Sequence, residues 1–562
     1  MPAPYHQIVT ELRQAFPQPV SDRVHDAYFV FSFLRALDHV DAMKSAKPML
    51  GKPEELDYAA ARRCRIDENP LTLEQVTDRL VDHLSGMFIW GHPRSQINVV
   101  PSATIPSVIG GLLPSIYNPN LVSDESSRRV AVAEIEAASI AAALVGYDPE
   151  KAGGVFTFGG TGTTLYAAKI GLEKCCPGTM RTGLRAPARI ICSERAHYAA
   201  RTVAGWLGLG FDSIVEVPAD NNNEIRTCLF ETICRDLLKQ REKIAAIIAT
   251  LGTTDAFGVD DLHEMVEIRD RLVEEFALDY VPHIHADAVI GWAWSVFNDY
   301  DFDANPLGFR GRTLRALAGV NRHLQHLGRA DSIGIDFHKT GFTPYLSSLF
   351  LVRDKSIFAT LARNVDQMPY LFQSGQYHPG QFTLETSRPG GGAMAALANL
   401  LLFGKNGLRS LLGHLVTMAE ALRERLEAHA ATHVLNSGNF GPVTLFRVYP
   451  DGVDTFSFPA REQVDPSCRD RVREYNAYNH RLFDLIQTEA LQGRGVVISL
   501  TNCYRETNYG EPVVALKSYI MSPFTEEEHV GYVLESIWKA REIVAHEKRT
   551  ASSAPGSTSR QP

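Results

Sequence analysis

Hydrophobic positions change period along this chain, and the changes divide it. In residues 1–105 apolar residues recur at helical spacing around Val24 to Leu37 and Leu73 to Met87, which predicts helices joined by loops. From 106 to 405 short β-branched runs alternate with amphipathic stretches. Ala188–Cys192, Ile244–Ile248 and Ile284–Ala286 read as strands. Between the last two, Leu262, Met265, Val266, Leu272, Val273 and Phe276 share one helical face. Strand, helix, strand in that order is a parallel crossover unit, because parallel neighbours need a long connection. Repeated, it predicts an α/β large domain with its ligand site beyond the strand ends. From 406 to 546, long helical stretches (Leu411 to His429, Asp470 to Leu491) flank strand-like runs at Val443 to Val448 and Gly495 to Leu500, predicting a smaller α+β domain. Residues 547–562 are expected to form a disordered tail, since from Ala551 the chain is rich in Ser, Pro and Gly.

Composition narrows the class. At 562 residues the chain exceeds one compact core, and 45% hydrophobic with 22% charged residues is ordinary for a globular protein. A net charge of −9 argues against nucleic acid or an anionic membrane surface as the main partner. The eight cysteines include no Cys-x-x-Cys pair, so reduced thiols and a cytoplasmic location are expected. The 19 histidines show no metal-ligand spacing, and no metal site is expected. No signal-peptide pattern and no apolar stretch long enough for a membrane span is seen.

Candidate chemistry concentrates at the predicted strand ends. Val281-Pro282-His283-Ile284 leads into His285-Ala286-Asp287-Ala288, and Ser332-Ile333-Gly334-Ile335 leads into Asp336-Phe337-His338-Lys339. Two buried strands thus deliver a carboxylate and an amine to one sheet edge, where neither is cheaply left unpaired. Taken alone, a structural ion pair explains the two segments about as well. Four further segments join them. Gly159-Gly160-Thr161-Gly162-Thr163-Thr164 opens an amphipathic stretch, and a glycine-rich helix N-terminus offers free N–H groups to an anion. It lacks the Gly-Lys-Ser/Thr of a nucleotide-binding loop. Ser193-Glu194-Arg195-Ala196-His197-Tyr198 follows a strand and places an imidazole where it can stack on a planar ring. Ala249-Thr250-Leu251-Gly252-Thr253-Thr254 ends another strand, and Ser387-Arg388-Pro389-Gly390-Gly391-Gly392 is a turn before a helix.

In this order the six segments resemble the fold-type I pyridoxal-phosphate enzymes, and among them the group II amino-acid decarboxylases. The resemblance runs from His92-Pro93-Arg94 to about Arg409. Ile105-Pro106 through Tyr117-Asn118-Pro119-Asn120, Tyr370-Leu371-Phe372 and Phe382 to Arg388 look most like bacterial tyrosine decarboxylases. The resemblance implies an aspartate-aminotransferase-like large domain with a mainly parallel sheet. It also implies pyridoxal 5'-phosphate as cofactor and a homodimer with the site at the subunit interface, residues 1–105 being candidates for that interface. Carried over by motif, Lys339 holds the aldehyde as a Schiff base, Asp287 meets the pyridinium and His197 stacks on the ring. Gly160, Thr161 and Gly162 hold the phosphate with His338, and Thr254 touches the cofactor's polar edge. Tyr370, on a loop over the site, supplies the proton to Cα after carbon dioxide leaves. The chain departs from the family where Ala288-Val289-Ile290-Gly291-Trp292 follows the aspartate and where Thr161-Gly162-Thr163-Thr164 forms the phosphate loop. Trp292 and Trp294 suggest a hydrophobic pocket or a core position, and substrates that are aromatic or apolar aliphatic L-amino acids. A second reading is a carbon–carbon lyase resembling sphingosine-phosphate lyase, favoured by Ser387 to Gly391 followed by Phe403-Gly404-Lys405-Asn406-Gly407. A non-catalytic protein of the same fold is a third, disfavoured by the intact Lys339 and Asp287.

Overall fold

The computed structural model describes residues 4–553. The N-terminal region holds helices Pro4–Leu12, Arg23–Met43, Tyr58–Arg63 and Leu73–Asp82. Their starts follow local chemistry: Asp22 accepts from the Val24 and His25 N–H groups, and Thr72 with Gln75 forms a capping box. Helix Arg23–Met43 has no buried residue. The expected all-helical segment also contains a strand, β1 (Ser95–Gln96), which pairs in parallel with Val497 and Ile498. Two residues are too few to leave a periodic signal.

The central sheet has seven strands: β2 (Gly153–Thr157), β3 (Ala188–Ser193), β4 (Ile214–Val217), β5 (Lys243–Thr250), β6 (His283–Asp287), β7 (Ser332–Asp336) and β8 (Ser348–Val352). Their order is β2-β8-β7-β6-β5-β3-β4. Only β8 runs antiparallel to its neighbours; β7, β6, β5, β3 and β4 are mutually parallel. Every residue of β6, β7 and β8 is buried. Strands covered on both faces lose the in–out alternation, which explains why they read as apolar runs. The expected crossover is present, with helix Leu262–Glu275 linking β5 to β6. Helix Gly160–Cys175 lies on the sheet so closely at Gly171 that a Cβ there would stand 2.3 Å from the Ala245 carbonyl oxygen. Trp292 and Trp294 are 1% and 0% exposed, so both belong to the core, and Trp292 also borders a cavity of about 310 Å³ with Phe337, Leu400 and Phe403.

The long helix Gly391–Glu427 bends at Gly404, whose φ of 53° and ψ of −169° break the helical path. The expected division at 405/406 therefore falls inside this helix, one residue past the bend. Beyond it lie β9 (Thr432–Val434), β10 (Val443–Val448), β11 (Val497–Glu506) and β12 (Pro512–Tyr519). With β1 they form a second sheet in the order β1-β11-β12-β10-β9, covered by helix Arg469–Leu491. The last helix, Glu527–Ser553, corrects the expected tail, because residues 547–553 are helical. Arg481 pairs with Glu547 at 2.5 Å and ties this end to helix Arg469–Leu491. The remainder of the expected tail, from 554, lies outside the described residues. Among the described residues no helix is long and apolar enough to cross a membrane, and all eight cysteines are free.

Candidate active site

Parallel pairing sets the site's geometry. Register aligns Thr250 of β5 with Asp287 of β6, and Asp287 with Gly334 of β7, so these positions form one row across the sheet's carboxyl edge. β7 then runs two residues further, to Asp336, and turns directly into His338 and Lys339. Gly159, with φ of 94°, makes the turn from β2 into helix Gly160–Cys175. The first-turn N–H groups of a helix have no acceptor within it. Here they belong to Gly160 and Thr161, while the Gly162 N–H donates to the Gly159 carbonyl at 2.8 Å, and a side chain would be tight at Gly160 and would clash at Gly162. A Cβ at Gly160 would stand 3.0 Å from Val289 Cγ1 and 3.1 Å from Asp336 Oδ2; one at Gly162 would stand 2.7 Å from Thr157 Oγ1.

Lys339 Nζ lies 2.9 Å from Asp336 Oδ2. Burial lowers the amine's proton affinity, but Asp336 outweighs it and holds Lys339 above the usual lysine range. Asp336 is itself fixed by the Ser348 hydroxyl, which donates to Oδ1 at 2.6 Å, and lies 3.5 Å from His338 Nε2. His338 packs its ring on Tyr345, centroids 4.4 Å apart. Burial pushes the Asp287 carboxyl up, and the charges on Lys339 and His197 pull it back. One Asp287 oxygen, Oδ1, is buried with no hydrogen-bond partner among the described residues. An acceptor left free inside a protein is costly unless something is bound there. Burial lowers His197, whose Nδ1 accepts from the Ala199 N–H at 3.2 Å and whose ring lies 4.0 Å from that of Tyr198.

The structure thus gathers Gly160, Thr161, Gly162, His197, Asp287, His338 and Lys339 around one edge. Thr254 lies in the loop after β5; its neighbour Thr253 is spent on that loop, accepting from the Gly258 N–H at 2.8 Å. Tyr370 is not gathered in. It is 75% exposed, and no hydrogen bond or ring contact joins it to the other site residues among those described. Arg388 of the Ser-Arg-Pro-Gly turn serves the scaffold: it is buried against Glu134 at 2.6 Å and also donates to the Phe156 and Leu121 carbonyls. Sequence reasoning passed over Asp336 and Ser348 as site residues. The signal for Asp336 was present in Asp-x-His-Lys; that for Ser348 was not, because it arrives on the antiparallel strand β8.

Four partly exposed apolar side chains border these groups. Phe158 and Leu346 flank the loop glycines, Tyr198 lies against His197, and Tyr345 against His338. Tyr345 and Leu346 also line a cavity of about 720 Å³ reaching helix Ile105–Tyr117 and the turn Ser387–Gly392.

Comparison with known proteins agrees with this geometry. The family description "Pyridoxal-dependent decarboxylase conserved domain" matches residues 60–448. The chain is 25% identical to an L-2,4-diaminobutyrate decarboxylase of Acinetobacter baumannii over 64% of this chain and 68% of that one. It is 23% identical to an L-tyrosine decarboxylase of Enterococcus faecium over 62% and 61% of the two chains. Among solved structures, the Oryza sativa protein titled "TDC with PLP and tryptamine" superposes with a TM-score of 0.73 at 14% identity, covering 94% of this chain and 99% of that one. The architecture is the fold-type I arrangement expected above.

Proposed function

From the premise that the chain belongs to the pyridoxal-dependent decarboxylases, we propose that it removes the α-carboxyl group of an L-amino acid with an aromatic or apolar side chain. The observation that carries the side-chain class is the border of Phe158, Tyr198, Tyr345 and Leu346 around the gathered site. Such a border stabilises apolar substituents by about 25 cal/mol for each Å² removed from water. It carries no charged group to pair with a second ammonium or carboxylate.

The residues fit pyridoxal phosphate. When bound, the cofactor supplies an electron sink for the bond to the substrate's α-carbon. Lys339 provides the amine that takes its aldehyde, and the free Oδ1 of Asp287 provides an acceptor for a protonated ring nitrogen. The loop Gly160, Thr161 and Gly162, through the N–H groups of its first two residues and with His338, holds its phosphate, and His197 covers a ring face. Thr254 meets its polar edge. Asp336 positions the lysine amine before the cofactor arrives. Tyr370 carries the proton that ends at Cα, and its loop keeps water from that carbon.

The protein acts as a homodimer in the cytoplasm on this reading. Ile105, Val108, Ile109, Leu113 and Tyr117 are exposed on one helix, as are Val24, Val30, Phe31 and Leu34 on another. Contiguous exposed apolar faces of this kind mark association surfaces. Tyr370, unattached in its own chain, then serves the site of the second copy. The carbon–carbon lyase reading gains nothing from the relatives named above, both of which are decarboxylases.

The test is incubation of the cofactor-loaded protein with a panel of aromatic, aliphatic, acidic and diamino L-amino acids, with products read by mass spectrometry. An amine lighter than an aromatic or apolar parent by one carbon dioxide is expected. Amine from only the acidic or diamino substrates overturns the side-chain class, and no amine at all overturns the decarboxylation.

A further inference from the structure

The chemistry above leaves a line of buried polar groups beneath the site unused. His283, His285 and Asp287 alternate onto one face of β6, and residues two apart on a strand share a face. Helix Gly160–Cys175 covers that face, since a Cβ at Gly334 would meet both Thr163 of the helix and His285. Lys174 Nζ, near the far end of the same helix, lies 3.1 Å from His283 Nδ1. His283 Nε2 lies 2.8 Å from Ser332 Oγ, and Ser332 Oγ lies 2.9 Å from His285 Nδ1. His283, Ser332 and His285 are all buried. Burial pushes both histidines down to about 3, so each is neutral and carries a single ring proton.

The chain has a direction. The Lys174 ammonium has only donors, so His283 Nδ1 accepts and its Nε2–H donates to Ser332. The serine hydrogen then passes to His285 Nδ1, which places the His285 proton on Nε2. That N–H has no partner among the described residues; neither has Asp287 Oδ1 nor Thr250 Oγ1. Thr250 is the register partner of Asp287 on β5, and His285 Nε2 borders Gly334, the register partner on β7. A donor, a hydroxyl and a carboxylate oxygen with a second lone pair to spare beside the ring nitrogen thus lie on one face of the neighbouring strands β5 and β6, beside β7, and a buried water needs two to four such partners.

We propose that Lys174, His283, Ser332 and His285 form a positioning relay that presents the His285 Nε2–H to Asp287, through one water held among His285, Thr250 and Asp287, and so keeps that carboxylate ionised and aimed at the cofactor's ring nitrogen. This rests on the reading of Asp287 as partner of that nitrogen. The physical need for the relay is the tautomer. With the proton on Nδ1 instead, His285 would turn a lone pair towards the carboxylate and raise the cost of its charge. The four residues touch no reacting atom, and their effect is carried by Asp287 alone.

The experiment compares two ligands on full-length protein stripped of cofactor: pyridoxal phosphate and its 1-deaza analogue, in which carbon replaces the ring nitrogen. Ser332→Ala shortens a buried side chain without adding bulk, and Lys174→Gln is the second variant. Each is expected to weaken pyridoxal phosphate about tenfold, the worth of one hydrogen bond to a charged group, and the analogue by less than about twofold. Equal weakening of both ligands would mean an ordinary structural role and overturn the relay, as would no change in either. Asp287→Asn separates the two layers of the argument. If it too fails to distinguish the ligands, the reading of Asp287 is wrong; if it distinguishes them while Ser332→Ala does not, the relay alone is wrong.

Discussion

At the end of β7, Asp336 and His338 are buried and Lys339 is mostly so, with His338 and Lys339 both paired to Asp336, while Tyr370, proposed to act on the same substrate, stands 75% exposed and apart from them. The side proposed to hold the cofactor is assembled within one chain by strand register, in a row that runs from Thr250 through Asp287 to Gly334. The side proposed to carry the proton donor sits on a segment tied at its near end by Arg363, whose N–H donates to the Gln381 carbonyl at 2.8 Å, and again at its far end. There the Phe372 and Ser374 N–H groups donate to Glu125, and the Gln376 N–H donates to Asp124 at 2.9 Å. The contrast follows from what each side has to do. A lysine and an acid must meet a ring at set positions, which rigid strands provide. A proton donor must let the substrate in and then shut out water, which a strand cannot do.

The sharpest way to break the comparison is at Lys339. Replacing it with Ala is expected to abolish the visible absorption of lysine-bound cofactor and lower turnover by at least about a thousandfold. An unchanged spectrum would remove Lys339 from the site. Tyr370→Phe acts on the other side. Cofactor spectrum and affinity are expected to stay as in the wild type while amine formation falls on the order of a hundredfold, the usual worth of a general acid. Carbon dioxide release should persist, with aldehyde or ketone products appearing by mass spectrometry. Normal amine yield would exclude Tyr370 from proton delivery. The junction between the two sides is the buried pair Glu134–Arg388, because Tyr377, at the end of the Tyr370 segment, donates to Glu134 at 3.2 Å. Arg388→Met leaves the buried Glu134 without its cation, with only the Phe156 N–H and the Tyr377 hydroxyl as partners, which costs about 3–5 kcal/mol of stability. Denaturant unfolding should show that loss; a change below about 1 kcal/mol would mean the pair is dispensable.

What the chain disclosed in advance follows the same line. The site residues at strand ends were legible because strand, acid and lysine are adjacent in sequence, as in Ser332 to Lys339 and His283 to Asp287. The α/β crossover was legible because Leu262–Glu275 has a clean helical face. Ser348 was not, since only the antiparallel return of β8 brings it to Asp336. β1 was not, since its partner Val497 is remote in sequence and the strand has two residues. Trp292 and Trp294 were readable as pocket or core, because bulk and apolarity suit both; each is buried in the core, and Trp292 also borders a cavity with Phe337. The expected tail began too early because helix Glu527–Ser553 runs on past 547, into residues whose composition alone does not reveal a helix.

The relation between the two sides is tested most directly by mixing two inactive variants. On the proposed roles Lys339→Ala removes the cofactor lysine and Tyr370→Phe the proton donor, so each alone is expected to make little amine. If Tyr370 serves the second copy, equal amounts unfolded and refolded together should recover about one quarter of wild-type amine formation, since half of the dimers are mixed and each holds one intact site. Recovery to that level is the expected result. A mixture no more active than its components would place Tyr370 in its own chain's site or outside the reaction, and would contradict a site shared between two copies.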